Sequence, residues 1–475
     1  MNFRPHAPRP LAVKILAIAA LLLVAPATRV SRAQTVAPEP RREQLLNGLR
    51  LLLVPHPGDA KVWMKLRVHS GAAFDLANKE GTMVLLADAL FPDPSTQQYV
   101  TEELGGRLDV RTTYDAVEVT LSGNASEFDR LVEVLRNAFL QMRLAPEEVQ
   151  RLKDARLKSV GGATQTPATN ADRAVRARLF GAHPYGRTVD GTTASLAAVQ
   201  RADLMLARER FLNPNNATLV AVGGFERARA MRTFRQFLGA WRKSETIPPS
   251  TFTQPAAPDP RALVVAASSA RDAEVRVAAR GVSRSDRDRA AASLLAHVAR
   301  ERWRAALADA SPSNVSVRHD SYAVGGAFEM SATVPSASAA RAVESAREAL
   351  RALASAPASA AELERARRDA AAARAASASQ FPFADEWLDA ATYNYDDASD
   401  ARAFNDATPA ELQRVAARLF RDAPLATVVA GDAAELRAAL ANLSGGVEVA
   451  GSQPAPQKPA PAQPQPSPRR PSPDR

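Results

Sequence analysis

The chain predicts an α+β fold of two homologous domains, each a β-sheet covered by helices, and three observations carry that expectation. First, two apolar runs head two similar stretches, GLRLLLV from Gly48 and ALVVAA from Ala262. Short continuous apolar runs of this kind read as buried strands. Second, each stretch later reaches a helix with a similar start, LAPEEVQRLKDARL from Leu144 and ASAAELERARRDAA from Ala358. Setting Glu148 over Glu362 gives an offset of 214. Third, each stretch closes alike, NATLVAVGGF at 216–225 and LATVVAGDA at 425–433, with Thr218 over Thr427 at an offset of 209. Two offsets this close, taken far apart along the chain, indicate an internal duplication.

The remaining elements follow from local pattern. DVRTTYDAVEVTL (109–121) is β-branched and partly alternating, which predicts a strand, and Ser126–Leu140 has the spacing of an amphipathic helix. Proline-rich KSETIPPSTFTQPAAPDP, 243–260, predicts a linker between an N-terminal domain at 34–242 and a C-terminal domain at 261–445. A proline-rich tail is expected over 446–475; its last 25 residues hold nine prolines, a composition that builds no core.

Residues 1–33 read as a signal peptide. Arg4, Arg9 and Lys14 make a basic leader, Ile15–Ala25 is an apolar run of 11, and Ser31-Arg32-Ala33 is a small-x-small cleavage site. The run is short for a transmembrane anchor. The mature protein is therefore expected to be periplasmic or secreted, with no membrane association beyond the signal peptide. The net charge of +10 sits mostly in the leader and tail, which carry five Lys/Arg with no acid and four Lys/Arg with one acid. That leaves no basic face of the kind nucleic acid needs. There are no cysteines, which excludes disulfides, thiolate zinc sites and a cysteine nucleophile.

One helix holds a residue that looks out of place. In GTMVLLADALF (81–91) a single carboxylate, Asp88, stands among apolar neighbours. A buried carboxylate needs a partner, and Arg111 or Arg156 is expected to supply it.

Read with its surroundings, that helix resembles a known one. GLRLLLVPHPGDAKVWMKLRVHSGAAFDLANKEGTMVLLADALF is similar to the opening of the insulinase/pitrilysin family of metallopeptidases, which includes the mitochondrial processing peptidase. Gly105-Gly106-Arg107-Leu108-Asp109-Val110 resembles the family's G-G-x-x-N-A strand, and His183-Pro184-Tyr185-Gly186-Arg187 its H-P-Y-G segment. Phe211-Leu212-Asn213-Pro214-Asn215-Asn216-Ala217 resembles its Y-x-P-N-N-A segment. The likeness runs over residues 44–440 and includes the duplication.

The resemblance implies a zinc site that these residues do not reproduce. The family's inverted motif, H-x-x-E-H, gives two histidines on one helix face and a glutamate as general base. Here those positions are Val84, Ala87 and Asp88. The family's third ligand, a later glutamate, falls on Leu157, or on Arg156 if the register slips by one. The six histidines form no pair at helical spacing. No metal ligand and no catalytic residue is therefore assigned, and no cofactor is expected. An arginine and a tyrosine that help orient substrate in the family fall on Ala308 and Asn314; Arg302 and Arg304 lie one turn earlier. No G-x-S-x-G nucleophile elbow occurs, and the GG pairs at 223–224 and 325–326 read as tight turns.

Peptide binding needs no metal. The resemblance implies that a peptide adds as a strand beside the motif helix, through backbone hydrogen bonds. Its candidates here are Asp109, Val110, Arg111, Thr112 and Thr113. The expected function is an exported pseudopeptidase that binds peptides and assists a zinc-containing homologous subunit in a heterodimer. The alternatives are a stand-alone peptide-binding or scaffold protein and an active zinc metalloendopeptidase with ligands outside the motif.

Overall fold

The computed structural model describes residues 39–162, 166–249, 251–253, 255–267, 271–377 and 382–450. The expected signal peptide and the proline-rich tail from 451 lie outside these residues. Twelve strands form two six-stranded sheets. The first contains β1 (Arg41–Gln44), β2 (Arg50–Pro55), β3 (Lys61–Val68), β4 (Arg107–Thr112), β5 (Val117–Asn124) and β6 (Ala217–Gly223). The second contains β7 (Ala262–Ala266), β8 (Asp272–Gly281), β9 (Asn314–Ser321), β10 (Gly326–Pro335), β11 (Ala426–Gly431) and β12 (Val447–Val449).

The sheets run β1-β2-β6-β3-β5-β4 and β12-β7-β11-β8-β10-β9. Five strands of each therefore share one connectivity. In both, the first long strand pairs in parallel with the closing strand: Arg50 stands opposite Thr218, and Ala262 opposite Thr427. The two threonines aligned in the sequence thus occupy one place in the fold. The outermost strands differ. β1 comes from the start of the chain and runs antiparallel to β2, whereas β12 comes from its end and runs parallel to β7.

Alternation along each strand divides the residues between two faces. On the outer face of the first sheet, Leu51, Leu53, Met64, Leu66, Val119 and Leu219 are buried with Phe128, Leu131 and Phe234, from the Phe128–Leu140 and Arg227–Leu238 helices. The second sheet repeats this with Val275, Val277, Met330 and Val429 against Trp303, Val343, Leu350 and Val415.

The inner faces are covered by exchange. The Pro382–Tyr393 helix of the second half lies on the first sheet, where Ala384, Trp387 and Leu388 meet Leu52, Val54, Trp63 and Val220. The Pro167–Phe180 helix of the first half lies on the second sheet, where Ala171, Val175 and Leu179 meet Ala278, Val428 and Ala430. Each helix also brings an aspartate to an arginine of the other half's sheet. Asp389 accepts from Arg67 at 2.6 Å and Asp172 from Arg276 at 2.6 Å.

The expected strand at 109–121 is a hairpin. Thr113–Ala116 turns the chain between β4 and β5, with Thr113 N–H donating to Ala116 O at 2.8 Å. A carboxylate turn residue, Asp115, interrupts the β-branched run, so β-propensity was high on both sides of a reversal. The other expected elements appear at Phe128–Leu140, Pro146–Gly162 and Ala360–Ser377. No helix among the described residues is long and apolar enough to cross a membrane.

Candidate functional site

The motif helix spans Thr82–Asp88. Its N-terminus is fixed by Asp75, whose Oδ2 accepts the Gly81 N–H at 2.8 Å and whose Oδ1 accepts the Met83 N–H at 2.9 Å. A carboxylate there satisfies donors the helix cannot and sits well with its dipole. Burial still pushes the Asp75 carboxyl up to about 7, against the pull of those two donors. Gly81, at φ +96°, has no room for a side chain: an added Cβ would lie 2.6 Å from Leu196 Cδ2.

Met83, Val84, Leu85, Leu86 and Ala87 are all buried. Val84 and Ala87 present hydrocarbon alone. Asp88 is met by Arg156 from the Pro146–Gly162 helix, with Nε to Oδ2 at 2.6 Å and Nη2 to Oδ1 at 2.7 Å. The expectation that Asp88 is ion-paired therefore resolves to Arg156. Of the two residues expected near the family's third-ligand position, Arg156 faces the motif helix and Leu157 packs on the first core. The hydrogen bond to Asp88 holds the Arg156 guanidinium above its ordinary value. Bidentate arginine–carboxylate geometry is the strongest form of such a pair, yet at about one-quarter exposure its net worth is about 1 kcal/mol. The pair lines a cavity of about 480 Å³ with Phe91, Gln97, Leu108 and Asp109.

This donor set does not suit zinc. A catalytic zinc asks for about three nitrogen, sulfur or carboxylate ligands; here two motif positions carry no donor atom and the carboxylate is chelated by a guanidinium. Among the described residues, no group of three His, Asp or Glu side chains gathers where it could hold a metal ion. Three of the described histidines are engaged singly. His69 Nε2 lies 2.9 Å from both Arg50 Nη2 and Thr218 Oγ1, so it accepts, and burial lowers its pKa well below the usual range. His183 Nδ1 accepts the Tyr185 N–H. His319 Nε2 accepts the Val282 N–H at 3.2 Å, and burial beside Arg289 and Arg284 lowers it to about 4.

The peptide-binding candidates fall at a sheet edge. β4 is the last strand of its sheet, and no strand among the described residues pairs with its outer side. Asp109, Val110, Arg111 and Thr112 belong to it; Thr113 begins the turn beyond. Asp109 and Arg111 share one face with Thr120 and Glu118 of β5, while Leu108 and Val110 share the core face. The strand runs from the Asp88–Arg156 cavity to a larger cleft of about 760 Å³ between the two halves.

Sequence reasoning missed the centre of that cleft. Asp115 Oδ1 accepts from Tyr185 Oη at 3.0 Å, and its Oδ2 from the Ala323 N–H at 2.9 Å and Tyr393 Oη at 3.2 Å. Burial raises its pKa, although all three donors oppose the shift. One buried carboxylate thus ties the β4–β5 hairpin to both the β9–β10 hairpin and the exchanged helix of the second half. The tips touch directly, with Tyr114 and Tyr322 ring centroids 5.3 Å apart. The only signal was a Tyr-Asp pair inside a β-branched run. The substrate-orienting positions lie elsewhere: Arg302 is chelated by Glu362 and Arg304 pairs with Glu301, while Asn314 is an exposed strand start.

Comparison with known proteins agrees with this fold. The model of the insulinase family (peptidase family M16) matches residues 50–193, and that of the peptidase M16 inactive domain matches residues 198–369. An uncharacterized zinc protease of Mycobacterium bovis, Mb2805c, is 25% identical over 210 residues, covering 42% of this chain and 47% of that protein. The chain thus matches about half the length of that relative. A protease from Helicobacter pylori superposes with a TM-score of 0.76 at 17% identity, over 83% of this chain and 100% of that one. A peptidase M16 inactive domain from Pseudomonas fluorescens gives a TM-score of 0.74 at 18% identity, over 83% and 98%. The chain is a homologue of the insulinase (M16) family of peptidases, folded as the family's two like halves.

Proposed function

We propose that this protein is an exported pseudopeptidase, periplasmic or secreted, that holds peptides as an added strand on β4 and assists a zinc-containing homologous subunit. The observation that carries this reading is the Asp88–Arg156 ion pair. It occupies the helix face where the family resemblance implies metal ligands, and Ala87 stands where it implies the general base. Arginine beside that face repels a cation, and alanine accepts no proton from water. Recognition survives these changes because strand addition uses main-chain groups and tolerates side-chain change.

In such a pair the zinc-bearing subunit would supply the cleaving centre, while this chain would supply a second wall and an extended binding edge. The protein alone then binds a peptide without cutting it. The match to the M16 inactive-domain model supports that division of labour. A stand-alone peptide-binding or scaffold role is favoured by one observation: Ala308 and Asn314 replace the arginine and tyrosine that orient substrate in assisting subunits.

The test is a pull-down of the mature chain from its native extract, with metal analysis and a peptide-cleavage assay on the eluate. A zinc-containing homologue, with cleavage seen only in the complex, is the expected result. A metal-free, inactive protein eluting alone would favour the scaffold role. Stoichiometric, tightly held zinc in the purified chain would overturn both.

A further inference from the structure

The cleft between the halves is lined by acids and bases in near-equal number, but their bonding capacity is spent unequally. Every lining acid is committed. Glu118 is held by Lys65 and Arg67, and Asp385 by Lys65. Asp389 is held by Arg67 and Arg284, and Asp172 by Arg276. Asp320 faces Arg318 at 3.1 Å, and Asp115 has its three donors.

Some of the bases keep donors in reserve. Arg111 is exposed on β4 and lines the cleft, and its guanidinium makes no hydrogen bond or ion pair with the described residues. The Arg176 guanidinium lies 5.6 and 5.9 Å from the Tyr114 and Tyr322 ring centroids. It donates to the Tyr322 hydroxyl at 2.6 Å and reaches a carboxylate, Asp320, only at 3.8 Å. Among the described residues, buried Arg284 Nε has no acceptor, and on the same walls the buried hydroxyls Thr188 Oγ1 and Ser321 Oγ have no partner.

We propose that this cleft selects acidic peptides, with a carboxylate side chain of the bound strand paired to Arg111. The inference rests on the peptide-binding reading above and names the substrate class of the same site. Its geometry is that of any antiparallel or parallel pair: a residue opposite Arg111 on an added strand projects from the same face, with Cβ atoms about 5 Å apart. A glutamate there meets an unpaired guanidinium. Shifted by two residues, it meets Asp109 on the same face and is repelled, so the charge also sets the register. The cleft volume of about 760 Å³ accommodates a few residues of extended chain.

The test uses blocked, fluorescent seven-residue peptides of Ser, Thr and Val that carry Glu, Gln or Lys at the centre. Their binding to the mature chain is followed by anisotropy at low and physiological salt. The expected result is that the Glu peptide binds about tenfold or more tightly than the Gln peptide, and the Lys peptide more weakly than either. The Glu/Gln ratio should shrink with salt, collapse in Arg111→Gln and return in part in Arg111→Lys. Equal binding of all three peptides, or a ratio unchanged in Arg111→Gln, overturns the acidic preference and leaves strand binding standing. Failure of all three to bind overturns both.

Discussion

At the scale of single residues, the Asp88–Arg156 pair makes a measurable claim. Each of Asp88→Ala and Arg156→Ala should lower stability by about 1 kcal/mol, and the double variant should lose less than the sum. A denaturant double-mutant cycle with no coupling would show the pair to be ornamental. His319 makes a second claim. Its folded pKa, about 4, lies below its ordinary 6.5, so between those values the unfolded chain binds the extra proton. Its contribution is therefore fully present above pH 6.5 and is lost as pH falls through 4, by at most about 3 kcal/mol. Burial drives the shift, Arg289 and Arg284 add to it, and Asp286 opposes it. His319→Gln, which keeps an acceptor for the Val282 N–H, should flatten stability against pH over that window; an unchanged slope would refute the assignment. The need for a partner to Asp88 was legible in sequence because an apolar helix isolates a carboxylate. Its identity was not, since Arg111 and Arg156 are both plausible until the helices are placed. The Asp115 clasp was illegible: its donors come from residues 185, 323 and 393, and no local pattern links them.

At the scale of elements, the edge strand depends on a close approach at its start. Gly106 has no room for a side chain, because an added Cβ would lie 1.7 Å from the Ser122 carbonyl oxygen. Gly106→Ala should push β4 off β5 and cost at least about 2 kcal/mol, with lost amide protection concentrated in 107–112. Protection unchanged in that segment would mean the hairpin yields elsewhere. The Gly-Gly pair was visible in sequence as part of a family likeness, but the reason for it was not, since steric room is a property of the paired strands. The hairpin turn itself was misread: residues on both flanks favour strand, and only Asp115 marks the reversal. The helices were read more securely, because a 3.6-residue period over 13 or more residues leaves little choice of structure.

At the scale of the whole molecule, the exchanged helices hold the halves together through charge as well as apolar area. Asp389 is buried and satisfies both Arg67 and Arg284. Asp389→Ala takes the carboxylate from half-buried Arg284 and leaves buried Arg67 with Glu118 alone, and should destabilise the protein by about 3 kcal/mol. Asp172→Ala removes the matching contact on the other side, but that aspartate is half exposed, so about 1 kcal/mol is expected. Thermal unfolding of the two variants should rank them in that order; equal shifts would mean that the desolvation argument fails. The duplication was legible because two pairs of similar segments kept nearly one offset. The exchange was not, since nothing in a helix's own sequence says which of two sheets it will cover.

The reciprocal covering also bears on how such a chain came to exist. A single half, with its helix folded across a second copy of itself, would make a two-fold homodimer with the same contacts. Joining two copies end to end would preserve those contacts and free each copy to diverge, as the outermost strands β1 and β12 have done. Each half still relies on the other to cover the inner face of its sheet. Expressed separately, the first leaves Leu52, Trp63 and Val220 in water, and the second leaves Ala278 and Val428. Produced together as two unlinked fragments, they should recover a soluble complex, much as two ancestral subunits once would have.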